Sequence, residues 1–102
     1  MSNDDTFMRI ALAEARAASA QGNKPFGAVL VRGGEEVGRG HNLVNSDNDP
    51  TAHGEVTAIR AACRALETVS LEGATLYTTC EPCLMCTSAI AWAPTLRIAA
   101  SA

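Results

Sequence analysis

The sequence predicts a layered α/β domain built around one mixed sheet. Three observations lead there. Helix-like and strand-like segments alternate in the order α-β-β-α-β-α-β. The first two strand segments meet at Gly33-Gly34, a hairpin signal. The later strand segments are separated by stretches of helical length, so the helix-connected strands should run parallel, with right-handed crossovers and helices covering the sheet. At 102 residues the chain fits one domain, spanning 1–102.

Each element has its own signal. "DDTFMRIALAEARAASAQG" carries apolar residues at Phe7, Met8, Ala11, Leu12 and Ala15, a helical spacing, with Asn3 or Asp4 as cap and Gly22 as stop. "FGAVLVRGGEEVGRGHN" holds the two hairpin strands. "TAHGEVTAIRAACRAL" is helical again and places Val56, Ile59, Cys63 and Leu66 on one stripe. "GATLYTT" reads as a strand. "PCLMCTSAIAWA" reads as a helix opened by Pro82, whose missing N–H costs nothing in a first turn. "TLRIAA" reads as a last strand.

Composition narrows the function classes. Hydrophobic residues make up 47% and charged residues 19%, a globular balance. The formal net charge is −3, which lacks the footprint of a nucleic-acid binder and favours a small-molecule partner, with nucleic acid set aside. No apolar run reaches the length of a membrane span, and the acidic start "MSNDDTFMRI" does not read as a signal peptide. The expected compartment is the cytoplasm, where clustered cysteines bind metal or do chemistry more often than they form disulfides.

Three of the four cysteines, Cys80, Cys83 and Cys86, fall within "TTCEPCLMC". They could form a disulfide cluster, a closed structural metal site or one side of a catalytic centre. Cys83 and Cys86, three apart at a helix start, share one side of it. The helix N-terminus there favours thiolate, the form that ligates zinc. His53, at the start of another helix, is the natural third ligand, and Cys80 is a candidate fourth. Four protein ligands would close a tetrahedral zinc, whereas three leave a position for water. Ligand count alone leaves the choice open. Glu55 tips it towards catalysis, because a carboxylate two residues from His53 can shuttle protons beside a metal-bound water. Cys63, alone in an apolar helical pattern, reads as a small buried hydrophobe.

These residues spell H-x-E at His53 to Glu55 and P-C-x-x-C at Pro82 to Cys86. Together they match the signature of zinc-dependent nucleobase deaminases. The sequence resembles the cytidine deaminase-like superfamily. "DPTAHGEVTAIRAAC" and "LYTTCEPCLMCTSAIAWA" look like its guanine deaminase and related purine-base branch, with the tRNA adenosine deaminases as neighbours. The likeness runs from the first helix to about Trp92. It implies a three-layer α/β/α fold, with an antiparallel hairpin followed by parallel strands, and a chain that lacks the family's C-terminal segment after the fourth strand.

The resemblance also implies roles. His53, Cys83 and Cys86 would hold one Zn2+ per chain, with water or hydroxide as the fourth ligand. Cys80 would stay off the metal. Glu55 would carry protons from the water to the base and to the departing ammonia. Gly54, standing where the family usually has alanine, would offer its backbone N–H to substrate. Asn42 would bind a base edge, an amide having both donor and acceptor. Phe26 would pack by the base, or serve in the core. His41 reads as a strand-end residue without a role, and Trp92 as a core or subunit contact. The implied reaction is hydrolytic deamination of a purine base, guanine to xanthine first, in a homodimer. Alternatives are another base or nucleoside, tRNA adenosine, or a catalytically inactive zinc-binding fragment of such a fold.

Overall fold

The computed structural model describes residues 3–79, 83–92 and 97–100. Its elements are α1 (Asn3–Ala20), β1 (Gly27–Arg32), β2 (Glu35–His41), α2 (Val44–Asp47), α3 (Gly54–Leu66), β3 (Thr75–Thr78), α4 (Leu84–Trp92) and β4 (Arg97–Ala100). The expected alternation is present, with one addition: α2, a single turn in the loop after β2. Four residues carry no amphipathic period, so periodicity could not reveal it.

The sheet has the order β2-β1-β3-β4. β1 pairs antiparallel with both β2 and β3, and β3 pairs parallel with β4. The helix-connected strands β2, β3 and β4 therefore share one direction, as expected. β1 is the single reversed strand and lies between β2 and β3. Gly33 and Gly34 turn the hairpin with φ of 62° and 79°, a left-handed pair that glycine adopts without strain. The hairpin ladder slips between Leu30 and Val31, where Leu30 faces Gly38 and Val31 faces Glu36, leaving Val37 as a bulge.

The two faces of the sheet build two cores. Ala28, Leu30 and Leu76 point towards α3 and α4 and cluster with Ala58, Ile59, Ala62 and Ile90. Val29, Val31 and Tyr77 point the other way and pack on Ala11, with Phe7, Met8 and Ile10 of α1 around them. Helices thus cover both faces, giving three layers. Successive strand residues alternate between the cores, as a pleated strand requires.

Several local expectations change. Asn3 and Asp4 lie within α1, so neither precedes the helix as a cap. On α3, Ala58 and Ala62 are fully buried while Val56, Cys63 and Leu66 are only partly so. The predicted stripe supplies Ile59 to the core, with Cys63 and Leu66 packed against it, and the small residues Ala58 and Ala62 add the most deeply buried part of that face. A Cβ on Gly38 would come within 2.6 Å of the Ala62 backbone N, and one on Gly40 within 2.5 Å of the Ala58 backbone N. Glycine on β2 and alanine on α3 let the two backbones meet. Pro82 and Cys80 lie outside the described residues, as does the side chain of Trp92.

Gly40→Ala should therefore destabilise the fold by about 3 kcal/mol, the upper range for overpacking against backbone that cannot retreat. The comparison is Gly73→Ala, where only the φ of 85° opposes a side chain in open space, at a cost of about 1 kcal/mol. Urea unfolding midpoints measure both. Equal midpoints for the two variants would show that the α3–β2 contact is not tight.

Candidate metal centre

Two helix starts meet at one end of the sheet. α3 begins at Gly54 with His53 as its N-cap residue, extended at φ −74° and ψ 157°. That geometry swings the imidazole off the helix, and it makes no capping hydrogen bond. α4 begins at Leu84, so Cys83 stands just before the helix and Cys86 at its third residue. Both cysteines were expected inside the first turn. The N-cap and third positions still adjoin, as in a capping box, so the two side chains share a side.

The sulfurs of Cys83 and Cys86 lie 3.5 Å and 3.6 Å from His53 Nδ1. All three ligand atoms lie within 4.8 Å of one another. A tetrahedral zinc with ordinary Zn–N and Zn–S bonds separates nitrogen from sulfur by about 3.6 Å. The side chains thus fit that ion. Among the described residues this is the group able to hold a metal. Cys83 and Cys86 are free thiols, with no disulfide between them, and Cys63 is likewise free and half-buried. The question of Cys80 as a fourth ligand falls outside the described residues.

Electrostatics correct one expectation. The helix start was expected to favour thiolate at both cysteines. At Cys86 burial instead pushes the thiol well above its ordinary 9.0, and the neighbouring Glu55 carboxylate and Cys83 push it the same way. Cys86 is fully buried. Desolvation there outweighs the weak field of the helix start. A thiolate at Cys86 needs a cation beside it.

Glu55 follows at the second position of α3 and is only 3% exposed. It lines a cavity of about 460 Å³ that also reaches His53, Gly54, Cys83, Asn42 and Phe26. The structure thus gathers Phe26, Asn42, His53, Gly54, Glu55 and Cys83 on one cavity, with Cys86 beside His53 and Cys83. Phe26 is 36% exposed, which removes it from the core and leaves it on the cavity wall. Asn42 is buried, and its Oδ1 accepts the Val44 N–H at 3.0 Å. That oxygen is engaged in the loop. Gly54 sits under Phe26, whose carbonyl oxygen would lie 3.2 Å from an added Cβ.

His41 is not idle. Its Nδ1 lies 3.0 Å from Glu14 Oε1 and its Nε2 3.0 Å from Gln21 Oε1, tying β2 to α1. Sequence reasoning also passed over Lys24, Val44, Asn45 and Pro50, which line the cavity from the two flanking loops. Irregular loops offer no period to read. Asn23 was missed as well; it holds those loops together from outside the cavity.

Comparison with known proteins agrees with this geometry. Residues 1–102 match the family described as the cytidine and deoxycytidylate deaminase zinc-binding region. A tRNA-specific adenosine deaminase of Aquifex aeolicus is 49% identical over 84 residues, covering 82% of this chain and 56% of that protein. Guanine deaminase of Bacillus subtilis is 49% identical over 92 residues, covering 89% of this chain and 59% of that protein. A solved structure from a study of A-to-I editing by tRNA:A34 deaminases superposes with TM-score 0.94 at 44% identity, covering 97% of this chain and 76% of that one. The chain thus spans less than two thirds of the length of these two curated relatives. Relatives of both names match equally well, so the acidic balance gives no ground for setting RNA aside. No helix among the described residues is long and apolar enough to cross a membrane.

Zinc added to the metal-free chain at neutral pH should acidify a weakly buffered solution, because the Cys86 thiol must lose its proton to ligate. Cys83→Ala and Cys86→Ala should each lose the metal, and Cys63→Ala and Cys80→Ala should retain it, read by zinc content after dialysis. The metal-free fold favours the protonated Cys86 thiol, so that group adds stability below pH 9.0 and its contribution fades as the pH rises further. Zinc uptake without proton release, or loss of zinc from Cys80→Ala, would contradict the three-ligand site.

Proposed function

The chain belongs to the cytidine and deoxycytidylate deaminase zinc-binding family, and from that premise we propose that it hydrolyses the exocyclic amine of a purine base, guanine first, releasing ammonia. One observation carries this reading: two sulfurs each at zinc-site spacing from one imidazole nitrogen, beside a buried carboxylate, on the wall of a cavity sized for a small molecule.

His53, Cys83 and Cys86 would hold one Zn2+, which when bound supplies a Lewis acid that makes water nucleophilic at neutral pH. Glu55 is not among the ligand group and faces the same cavity. Its carboxylate would take a proton at one oxygen and return it to the ring nitrogen beside the amine-bearing carbon, then serve the departing amine. The Gly54 N–H, at the first residue of α3, has no partner within the helix and would donate to the base. Asn42 would give its NH2 to an acceptor on the base edge. Phe26 would supply an aromatic face for stacking, which suits a two-ring base. A reducing compartment, the cytoplasm, suits a site built on two thiols. A homodimer completes the reading, and light scattering measures it.

A second reading is deamination of adenosine in tRNA. Two observations favour it: the 49% identity to a tRNA-specific relative, and Lys24, the cation among the described residues of the cavity wall, a residue type that would meet a backbone phosphate.

The deciding assay is ammonia release from guanine, adenine, cytosine, cytidine and an adenosine-containing tRNA stem-loop. Guanine should turn over fastest, and Glu55→Ala should lower the rate by a factor of about 10² to 10⁴. Preference for the stem-loop would replace guanine with the second reading. A zinc-loaded chain that turns over none of them is a metal-binding fold without catalysis. Undiminished activity in Glu55→Ala would refute the proton-transfer role.

A further inference from the structure

Two loops wall the cavity. The first joins α1 to β1 and brings Lys24 and Phe26; the second follows β2 and brings Asn42, Val44 and Asn45. Both begin at ends of regular structure, and neither has a core of its own. What sets the gap between them is visible in the hydrogen bonds.

α1 ends in a two-bond cap. Gly22, at φ 81°, donates its N–H to Ser19 O, and Asn23 donates its own to Ala18 O at 2.9 Å. That motif fixes the backbone of Asn23 to the helix end. Its side chain is buried at 6% exposure and crosses to the second loop. Asn23 Oδ1 accepts the backbone N–H groups of Asn45 and Ser46, each at 3.0 Å, and Nδ2 donates to Ser46 Oγ at 3.1 Å. Asn45 Nδ2 returns a bond to Gly22 O at 3.0 Å.

The bonds on Oδ1 are those of a helix cap supplied from another element. α2 has no side-chain cap at its own N-cap residue, Leu43. Its first N–H, at Val44, goes to Asn42 Oδ1. The next two go to Asn23. Remove the Asn23 amide and two backbone donors of a one-turn helix lose their acceptor. A single turn does not hold itself together, so the second wall would loosen.

We infer that Asn23 is a positioning residue for the cavity: it touches no substrate, and it sets the distance between the Phe26 wall and the Asn42–Asn45 wall by capping α2 from the end of α1. It acts on base binding and leaves the metal ligands and Glu55 in place, since those stand on α3 and α4. The inference rests on the base-deaminase reading for its kinetic consequence and on geometry alone for the clamp.

The test uses Asn23→Ala and Asn23→Asp in the zinc-loaded chain. Aspartate keeps an oxygen for both backbone donors, and Ser46 Oγ–H can turn to donate to the other. Asn23→Ala should raise KM for the base about tenfold with kcat within about twofold, the pattern of lost uniform binding. Zinc content should not change. Asn23→Asp should restore KM to within about threefold of the parent. A kcat that falls as far as kcat/KM, an unchanged KM in Asn23→Ala, or an aspartate variant no better than alanine would overturn the inference. Hydrogen exchange at residues 44–47 provides a readout that needs no substrate. Protection should fall in Asn23→Ala and persist in Asn23→Asp, and unchanged protection in the alanine variant refutes the clamp. Lack of turnover in the parent chain would count against the deaminase reading, while exchange would still decide the clamp.

Discussion

The position of α3 against the sheet is the constraint on which the site depends. Gly38 and Gly40 present bare backbone to Ala58 and Ala62, so the helix settles on β2 with little between. Gly54 repeats the device at the helix start, under the Phe26 carbonyl. This close seating delivers His53 and Glu55 to the end of the sheet where α4 delivers Cys83 and Cys86. A larger residue at any of these contacts would lift the start of α3 and spread three ligand atoms whose fit to a metal is a matter of tenths of an ångström. Here packing sets the spacing of His53 from the two cysteines, and van der Waals contact along α3 does the aligning.

Charge adds a second constraint. Cys83, Cys86 and Glu55 gather three acidic groups around one histidine, and two members of the set, Cys86 and Glu55, are almost wholly buried. Without a cation, burial and the Glu55 carboxylate favour the protonated thiol at Cys86. A divalent ion reverses the preference, since two thiolates neutralise it. The site is therefore costly to form without metal and favourable with it, which couples occupancy to folding. The carboxylate, meanwhile, keeps its place beside the ligands without joining them.

Much of this was legible in the sequence, for identifiable reasons. The element order followed from period and punctuation: the Gly33-Gly34 turn, the helical spacing in α1 and α3, and the short apolar strands. The meeting of His53, Cys83 and Cys86, with Glu55 buried nearby, was legible because ligand chemistry restricts residue type and helix starts restrict spacing. What escaped depended on tertiary distance. The stripe of larger residues on α3 named Ile59 and not Ala58 or Ala62, whose burial depends on the glycines opposite them on β2. The insertion of β1 between β2 and β3 is a matter of pairing, which strand signals do not encode. α2 and its cap by Asn23 were invisible because the cap lies more than twenty positions upstream, beyond any local motif. The helix start of α4 was read slightly too early, and the thiolate expectation failed at Cys86 because burial cannot be read from spacing.

The bulge at Val37 has a consequence beyond the site. Among the described residues β2 is an outermost strand of the sheet, with a strand partner on one side of its backbone. The free donors and acceptors of an edge strand can recruit strands from other molecules. Here the extra residue twists the strand out of regular register. Glu36 and Arg39 lie beside it, held together in a two-pronged ion pair with bonds of 2.6 Å. An incoming chain would find the ladder out of phase and a charged pair to desolvate. The same two glycines that let α3 settle also deprive this strand of the bulky side chains a cross-β stack would interlock. The margin that lets a helix approach closely thus also makes the β2 edge a poor template for fibrils.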